Sequence, residues 1–165
     1  MNSPLPFEQQ VIALLPRLRR FAYALARSPS DADDLTQMTV ERALSSKSRW
    51  QAGTRLDSWL YTIMRNLWVD LVRSRSRRQR WEAPGIEAEM LGHDPTDAIN
   101  ASIELARVMV AMQRLPNEQR EVVALILVEG FGYRETAEIL QLPIGTVSSR
   151  LVRGRTALLT ILGDP

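Results

Sequence analysis

The sequence predicts an all-α protein of two small helical domains, an N-terminal helical bundle and a C-terminal four-helix domain with a helix-turn-helix, joined by a flexible acidic linker. Three observations predict it. Apolar residues recur at helical spacing through most of the 165 residues, and no stretch alternates with the period of two that a half-buried strand requires. That periodicity dissolves over residues 79–96, which Pro84-Gly85, Gly92 and Asp94-Pro95 punctuate. The charge changes sign at the same place. Residues 1–80 carry 14 basic and 7 acidic side chains, residues 81–114 carry 2 and 6, and residues 115–165 carry 5 and 6. The whole-chain net charge of +2 is therefore a cancellation between a basic N-terminal part and an acidic middle.

The first helix places Leu14, Leu18, Phe21, Ala22 and Leu25 on one face. Ser28-Pro29-Ser30 breaks the chain, and Ser30 is expected to cap a second helix running to about Leu44. Asp31, Asp33 and Asp34 in its first turn carry the sign that a helix N-terminus favours. Lys47 to Leu56 reads as a loop. Asp57 is then expected to cap a helix of ~22 residues, some 33 Å long at 1.5 Å per residue, with Leu60, Ile63, Met64, Leu67 and Leu71 as its apolar stripe. Arg73, Arg75, Arg77, Arg78 and Arg80 crowd its end. Such a run is either a solvated helix end or the electrostatic footprint of nucleic-acid binding.

After the linker, a helix spans about Asp97 to Arg114, with Ile99, Ile103, Ala106 and Val110 on one face. Leu115-Pro116-Asn117 interrupts it, and Glu118 to Val128 forms a densely apolar helix that Gly130 and Gly132 end. Two helices then close around Gln141-Leu142-Pro143, the spacing of a helix-turn-helix. Ala137 is small where they cross. At 100° per residue, Val147, Leu151, Gly154 and Leu158 form one buried stripe of the last helix. Ser149, Val152, Arg153 and Thr156 fall opposite, flanked by Ser148, Arg150 and Arg155. Short donors near the N-terminus and Arg beyond suit base edges and phosphates; an ordinary helical hairpin with a wet Arg face is the other reading.

Composition excludes several functions. There is no Cys, hence no disulfide, thiol catalysis or Cys-ligated zinc. The single His93 sits in the linker with no partner ligand, and no Gly-rich phosphate loop follows a strand. Neither an enzyme nor a bound cofactor or metal is expected. Met1 to Phe7 lack the charged-then-apolar run of a signal peptide, and no apolar stretch is long enough to cross a bilayer, so a cytoplasmic location is expected. Of the 21 basic residues only Lys47 is not Arg. Arg suits phosphate and base recognition, and a GC-rich genome would produce the same bias.

Two separated stretches resemble one known family. Residues 113–159, from Gln113-Arg114-Leu115-Pro116 through Tyr133-Arg134-Glu135-Thr136-Ala137-Glu138 to Val147-Ser148-Ser149-Arg150-Leu151, resemble region 4 of bacterial RNA polymerase sigma factors, with the extracytoplasmic-function (ECF) group as the best match. Asp31-Ala32-Asp33-Asp34-Leu35-Thr36-Gln37 resembles region 2.2 of that group. Trp59 to Asp70 resembles its regions 2.3 and 2.4.

The resemblance implies regions at 1–78 and 97–165 with a linker at 79–96. It implies binding to core RNA polymerase, its β and β′ subunits, with Asp33, Asp34 and Gln37 docking on the β′ clamp helices. Trp59, Tyr61, Arg65, Asn66, Asp70 and Arg73, with the 47–56 loop, would bind and melt the −10 promoter element. Ser148, Ser149, Arg150 and Arg153 would contact the −35 element. An anti-sigma factor is the implied regulator. Flipping a base costs a few kcal/mol. Aromatic or Arg stacking at ~1–3 kcal/mol per base offsets that without hydrolysis.

Four positions depart from the family pattern. Met38 stands where Glu is usual, Ser148 where Lys or Arg is common, Gln141 where a turn Gly is usual, and Thr136 where Ile is common. Two other readings use the same helices. A sigma mimic would sequester an anti-sigma factor without touching DNA, but has no need of Arg150, Arg153 and the 73–80 Arg run. A conventional helix-turn-helix regulator would normally dimerise on two half-sites, and no dimerisation helix is evident.

Overall fold

The computed structural model describes residues 5–80 and 99–163, and all regular structure among them is helical. The expected linker, with His93, lies outside the described residues except for Gln79 and Arg80. The N-terminal unit comprises α1 (Phe7–Leu25), α2 (Pro29–Ser45), a short 3₁₀ turn at Lys47–Arg49, and α3 (Leu56–Gln79). The C-terminal unit comprises α4 (Ile99–Gln113), α5 (Asn117–Val123), a π-helical turn at Ala124–Val128, α6 (Tyr133–Leu140) and α7 (Ile144–Gly163).

Helix α2 starts earlier than the Ser30 cap would allow. Ser28 is the cap, its hydroxyl accepting from the Asp31 N–H at 3.1 Å. Pro29 then sits in the first turn, where its missing N–H has no partner to lose and its fixed φ suits the helix. Asp57 is likewise not a cap, because α3 begins one residue before it. Its carboxylate instead holds Arg55 at 2.7 Å and Arg17 at 3.4 Å.

The buried face of α3 is rotated relative to the predicted stripe. Leu60 and Met64 are buried as expected, but Tyr61 and Trp68 join them, while Ile63, Leu67 and Leu71 are only partly covered. The rotation arises because α3 is covered from two sides. It packs against α1, α2 and α6, so the C-terminal unit buries a flank that the N-terminal bundle alone leaves open. Trp59 stays half-exposed with its ring edge on Phe7, and Trp50 packs on the same ring at 5.5 Å.

In the C-terminal unit the stripe Val147, Leu151, Gly154 and Leu158 is buried, as the projection requires. Gly154 is where α7 crosses α5. A Cβ there would lie 2.8 Å from Val123 Cγ2 and 3.2 Å from the Gln119 Cβ. Overpacking of this kind costs about 1–3 kcal/mol. Gly154→Ala is therefore expected to lower the urea midpoint by that equivalent without changing the slope of the transition.

The helix-turn-helix corner shows local strain. Gln141 ends α6 in the left-handed region, at φ 54° and ψ 48°, and its N–H donates to the Glu138 carbonyl at 3.3 Å. A side chain with a Cβ pays about 1 kcal/mol there, which glycine avoids. Gln141→Gly is expected to stabilise the protein by somewhat less than about 1 kcal/mol, read as a rise in urea midpoint. At Thr136, buried on the same helix, the hydroxyl has no hydrogen-bond partner, which makes the helix pair less favourable than an apolar residue would.

Candidate nucleic-acid interface

Helix α7 presents its polar face to solvent. Ser149, Val152, Arg153 and Thr156 are exposed, and Ser148 is half-buried at the edge. The Arg153 Nε donates only to the Ser149 carbonyl one turn back, at 3.3 Å, and no acid of the described residues pairs with it. Arg150 differs. It is largely covered, with its guanidinium 3.0 Å from Glu118 and 3.8 Å from Glu121 of α5.

The residues expected on α3 divide into two groups. Asn66, Asp70 and Arg73 are exposed along one flank, with Trp59 half-exposed at its start. Of the arginine run, Arg75 is engaged by Asp31 through two hydrogen bonds of 2.6 and 2.9 Å, and that contact holds the Asp31 carboxyl below the ordinary range. Arg73, Arg77, Arg78 and Arg80 form no ion pair among the described residues. They leave a basic end on α3, at the opposite end of the helix from the aromatic pair Trp50 and Trp59.

Tyr61 and Arg65 lie on the opposite flank and face the C-terminal unit. Tyr61 is fully buried between Phe21 and Phe131, both rings at 5.0 Å, so the surface position expected for it is not where the structure places it. Its hydroxyl donates to Glu129 at 2.6 Å, and burial, reinforced by that carboxylate, pushes the phenol well above its ordinary value. The physical reason is tertiary. Phe131 and Glu129 come from the turn after α5, with Glu129 68 residues away, and no local pattern announces them. Arg65 donates to Glu121 at 3.3 Å. Burial pushes the Glu121 carboxyl up, against the pull of Arg65 and Arg150.

Asp33, Asp34 and Gln37 are exposed together on α2. Asp33 pairs with Arg19 at 3.0 Å, a solvent-exposed contact, and Gln37 donates to Glu41 at 3.1 Å. Met38 lies beside them at the edge of a shallow groove with Glu41, Arg42, Ser45 and Leu67. The described residues contain no cluster of His, Cys, Asp and Glu able to hold a metal ion. None of their helices is long and apolar enough to cross a membrane.

Family models now connect these surfaces. Sigma-70 region 2 matches residues 11–78, and Sigma-70 region 4 matches residues 105–158. A curated relative, the ECF RNA polymerase sigma factor EcfG of Rhodopseudomonas palustris, is 38% identical over 152 residues, covering 92% of this chain and 82% of its own. The chain belongs to the extracytoplasmic-function group of the sigma-70 family.

Sigma factors are non-catalytic transcription initiation factors, and this ECF sigma factor has the two regions that the family uses. Solved relatives share the arrangement of its helices. The sigma factor RpoE from Bartonella quintana, crystallised with the anti-sigma factor NepR, superposes with a TM-score of 0.86 at 34% identity, covering 96% of this chain and 97% of that one. CnrH, in complex with the cytosolic domain of CnrY, gives 0.69 at 25% identity, covering 95% and 88%. Sequence reasoning missed the acids that tie region 2 to region 4, Glu121 and Glu129. Glu129 follows a run of apolar residues directly before Gly130, where a carboxylate reads as a solvated helix end.

Proposed function

We propose that this ECF sigma factor docks on core RNA polymerase through Asp33, Asp34 and Gln37, opens the −10 element along α3, and reads the −35 element with α7. Trp59, Asn66, Asp70 and Arg73 present the first DNA surface directly, and Tyr61 and Arg65 join it when their partners release them. Ser148, Ser149, Arg150 and Arg153 form the second. Region 2 spans residues 1–78 and region 4 spans 97–165, with 79–96 between them. The β and β′ subunits and promoter DNA are the partners, and an anti-sigma factor is the regulator, as the complexes of RpoE with NepR and of CnrH with CnrY suggest.

The observation that carries this reading is α7, whose apolar stripe is buried while Ser149, Arg153 and Thr156 are exposed to solvent at the front of a helix-turn-helix. Transcription in vitro with purified core polymerase on a candidate promoter tests it. A promoter-specific transcript dependent on this chain is expected. Tight binding to an anti-sigma factor with no promoter-specific transcript would replace the proposal with the mimic reading.

A further inference from the structure

Residues 51–54, the tip of the 47–56 loop, are exposed and hydrogen-bond only to one another among the described residues. The Thr54 N–H and hydroxyl both donate to the Gln51 carbonyl, at 3.1 and 2.7 Å, and Gly53 turns the chain at φ 91°. The tip therefore holds its own shape but not its own place. Its place is set where the loop joins the domain. At the rear, Leu56 is buried and starts α3. At the front stand the turn Lys47–Arg49 and Trp50.

The first two residues of α1 grip that front end. Phe7 is buried, with its ring 5.5 Å from the Trp50 ring and 6.2 Å from the Trp59 ring. One ring thus touches the front of the loop and the first turn of α3 behind it. The Trp50 indole N–H is buried without an acceptor among the described residues, so packing alone fixes that side chain. Lys47 Nζ lies over the face of Phe7, 5.3 Å from its centroid, and donates to Glu8 at 2.6 Å. That contact holds the Glu8 carboxyl below its ordinary range. An exposed ion pair contributes little to stability. This one is nevertheless the only side-chain polar tie from residues 47–54 to α1, α2 or α3 among the described residues. Both Phe7 and Glu8 precede residues 11–78, the stretch that the region 2 model matches.

We propose that Phe7 and Glu8 are positioning residues for −10 recognition. The start of α1 holds the 47–56 loop in the shape that receives a base of the unpaired strand, and neither residue touches DNA. The inference rests on the promoter-binding reading for the task of the loop, whereas the anchoring of the loop is measurable apart from it.

The test uses the full chain, assembled with core polymerase. The probe is a forked duplex of the candidate promoter, its non-template strand unpaired across the −10 element. Each unpaired base is replaced in turn by an abasic residue. In the wild type at least one replacement should weaken binding by about tenfold or more. Phe7→Leu should cut that penalty to about threefold or less, by weakening the intact fork and not the abasic one. Glu8→Lys repels Lys47 from the surface, leaves the core intact, and should lower the penalty in the same sense. The ratio of intact to abasic affinity cancels its added charge. Helical circular dichroism verifies the fold of each variant, and Glu8→Lys decides alone if Phe7→Leu does not fold.

A second measurement needs no DNA. The chain has no cysteine, so Gln51→Cys at the exposed tip takes a single nitroxide spin label. Its mobility should rise in Phe7→Leu and in Glu8→Lys. Unchanged mobility in the folded variants overturns the anchoring. Raised mobility with an unchanged penalty, or equal loss on intact and abasic forks, overturns the positioning role. If no abasic replacement weakens the wild type, the −10 reading falls, while the label still decides whether α1 anchors the loop.

Discussion

Arg120→Met is expected to lower stability by about 3 kcal/mol, the largest single loss among conservative changes of volume. Arg120 is buried and pairs with no carboxylate among the described residues. Its guanidinium instead donates to the Leu25 carbonyl at 3.1 Å, Gln113 Oε1 at 2.8 Å, the Leu115 carbonyl at 3.2 Å and Asn117 Oδ1 at 2.6 Å. Methionine keeps the apolar stem and removes every donor. Each buried acceptor left unpaired costs about 1 kcal/mol or more, and the greater apolarity of methionine recovers only part of it.

For a domain of this size the loss corresponds to a fall in melting temperature of about 10 °C by calorimetry. Burial, with Arg27 nearby, lowers the Arg120 pKa to about 10, so the side chain remains charged at neutral pH and the loss should vary little between pH 6 and 8. Arg120→Lys keeps the charge but not the planar fork, and should fall between the two. A melting temperature unchanged in Arg120→Met would show that the four acceptors find other donors.

Arg153→Glu is expected to have the largest effect on DNA. Arg153 is exposed on α7 and no acid of the described residues competes for it. A well-placed Arg contact to a base is worth about 1–3 kcal/mol. Reversal adds repulsion from the phosphates, so affinity for a −35 duplex should drop by about 100-fold. The slope of log affinity against log salt should become shallower by about 1 if the contact is to phosphate. Association with core polymerase, measured separately, should be unaffected. Equal loss of both would contradict the division of labour between α2 and α7. Arg150 is a poorer choice for this experiment, because its substitution also removes a contact to Glu118 and Glu121.

The helices and the recognition face were legible from the sequence because they depend on local chemistry. The stripe Val147, Leu151, Gly154 and Leu158 follows from a period of 3.6, and the break at Gln141-Leu142-Pro143 follows from turn residues. Helix starts were less accurate. Ser28 and Ser30 are equally good caps in isolation, and Pro29 decides between them only once its place in the first turn is known. The family resemblance located region 2 and region 4 but not their mutual contact. Tyr61 could be placed on a flank of α3 from periodicity, yet whether that flank meets water or Glu129 depends on a partner 68 residues away. The same holds for Arg120, whose acceptor on Leu25 is 95 residues distant.

The wide turn at Ala124–Val128 has a further consequence. The Glu129 N–H donates five residues back to Ala124 at 3.0 Å, where a regular helix would close four residues back. Relative to a regular helix the turn holds one surplus residue, worth about 100° of rotation for everything that follows. Without it, the chain after Val128 would emerge on a different side of α5, and the side chain at 129 would swing away from Tyr61 and Arg20. The surplus residue acts as a phase shifter between the part of region 4 that builds its core and the part that meets region 2. Length at this point, more than residue type, sets which way the turn faces, so a one-residue deletion here would misdirect the contact between the regions even with every residue outside the turn retained.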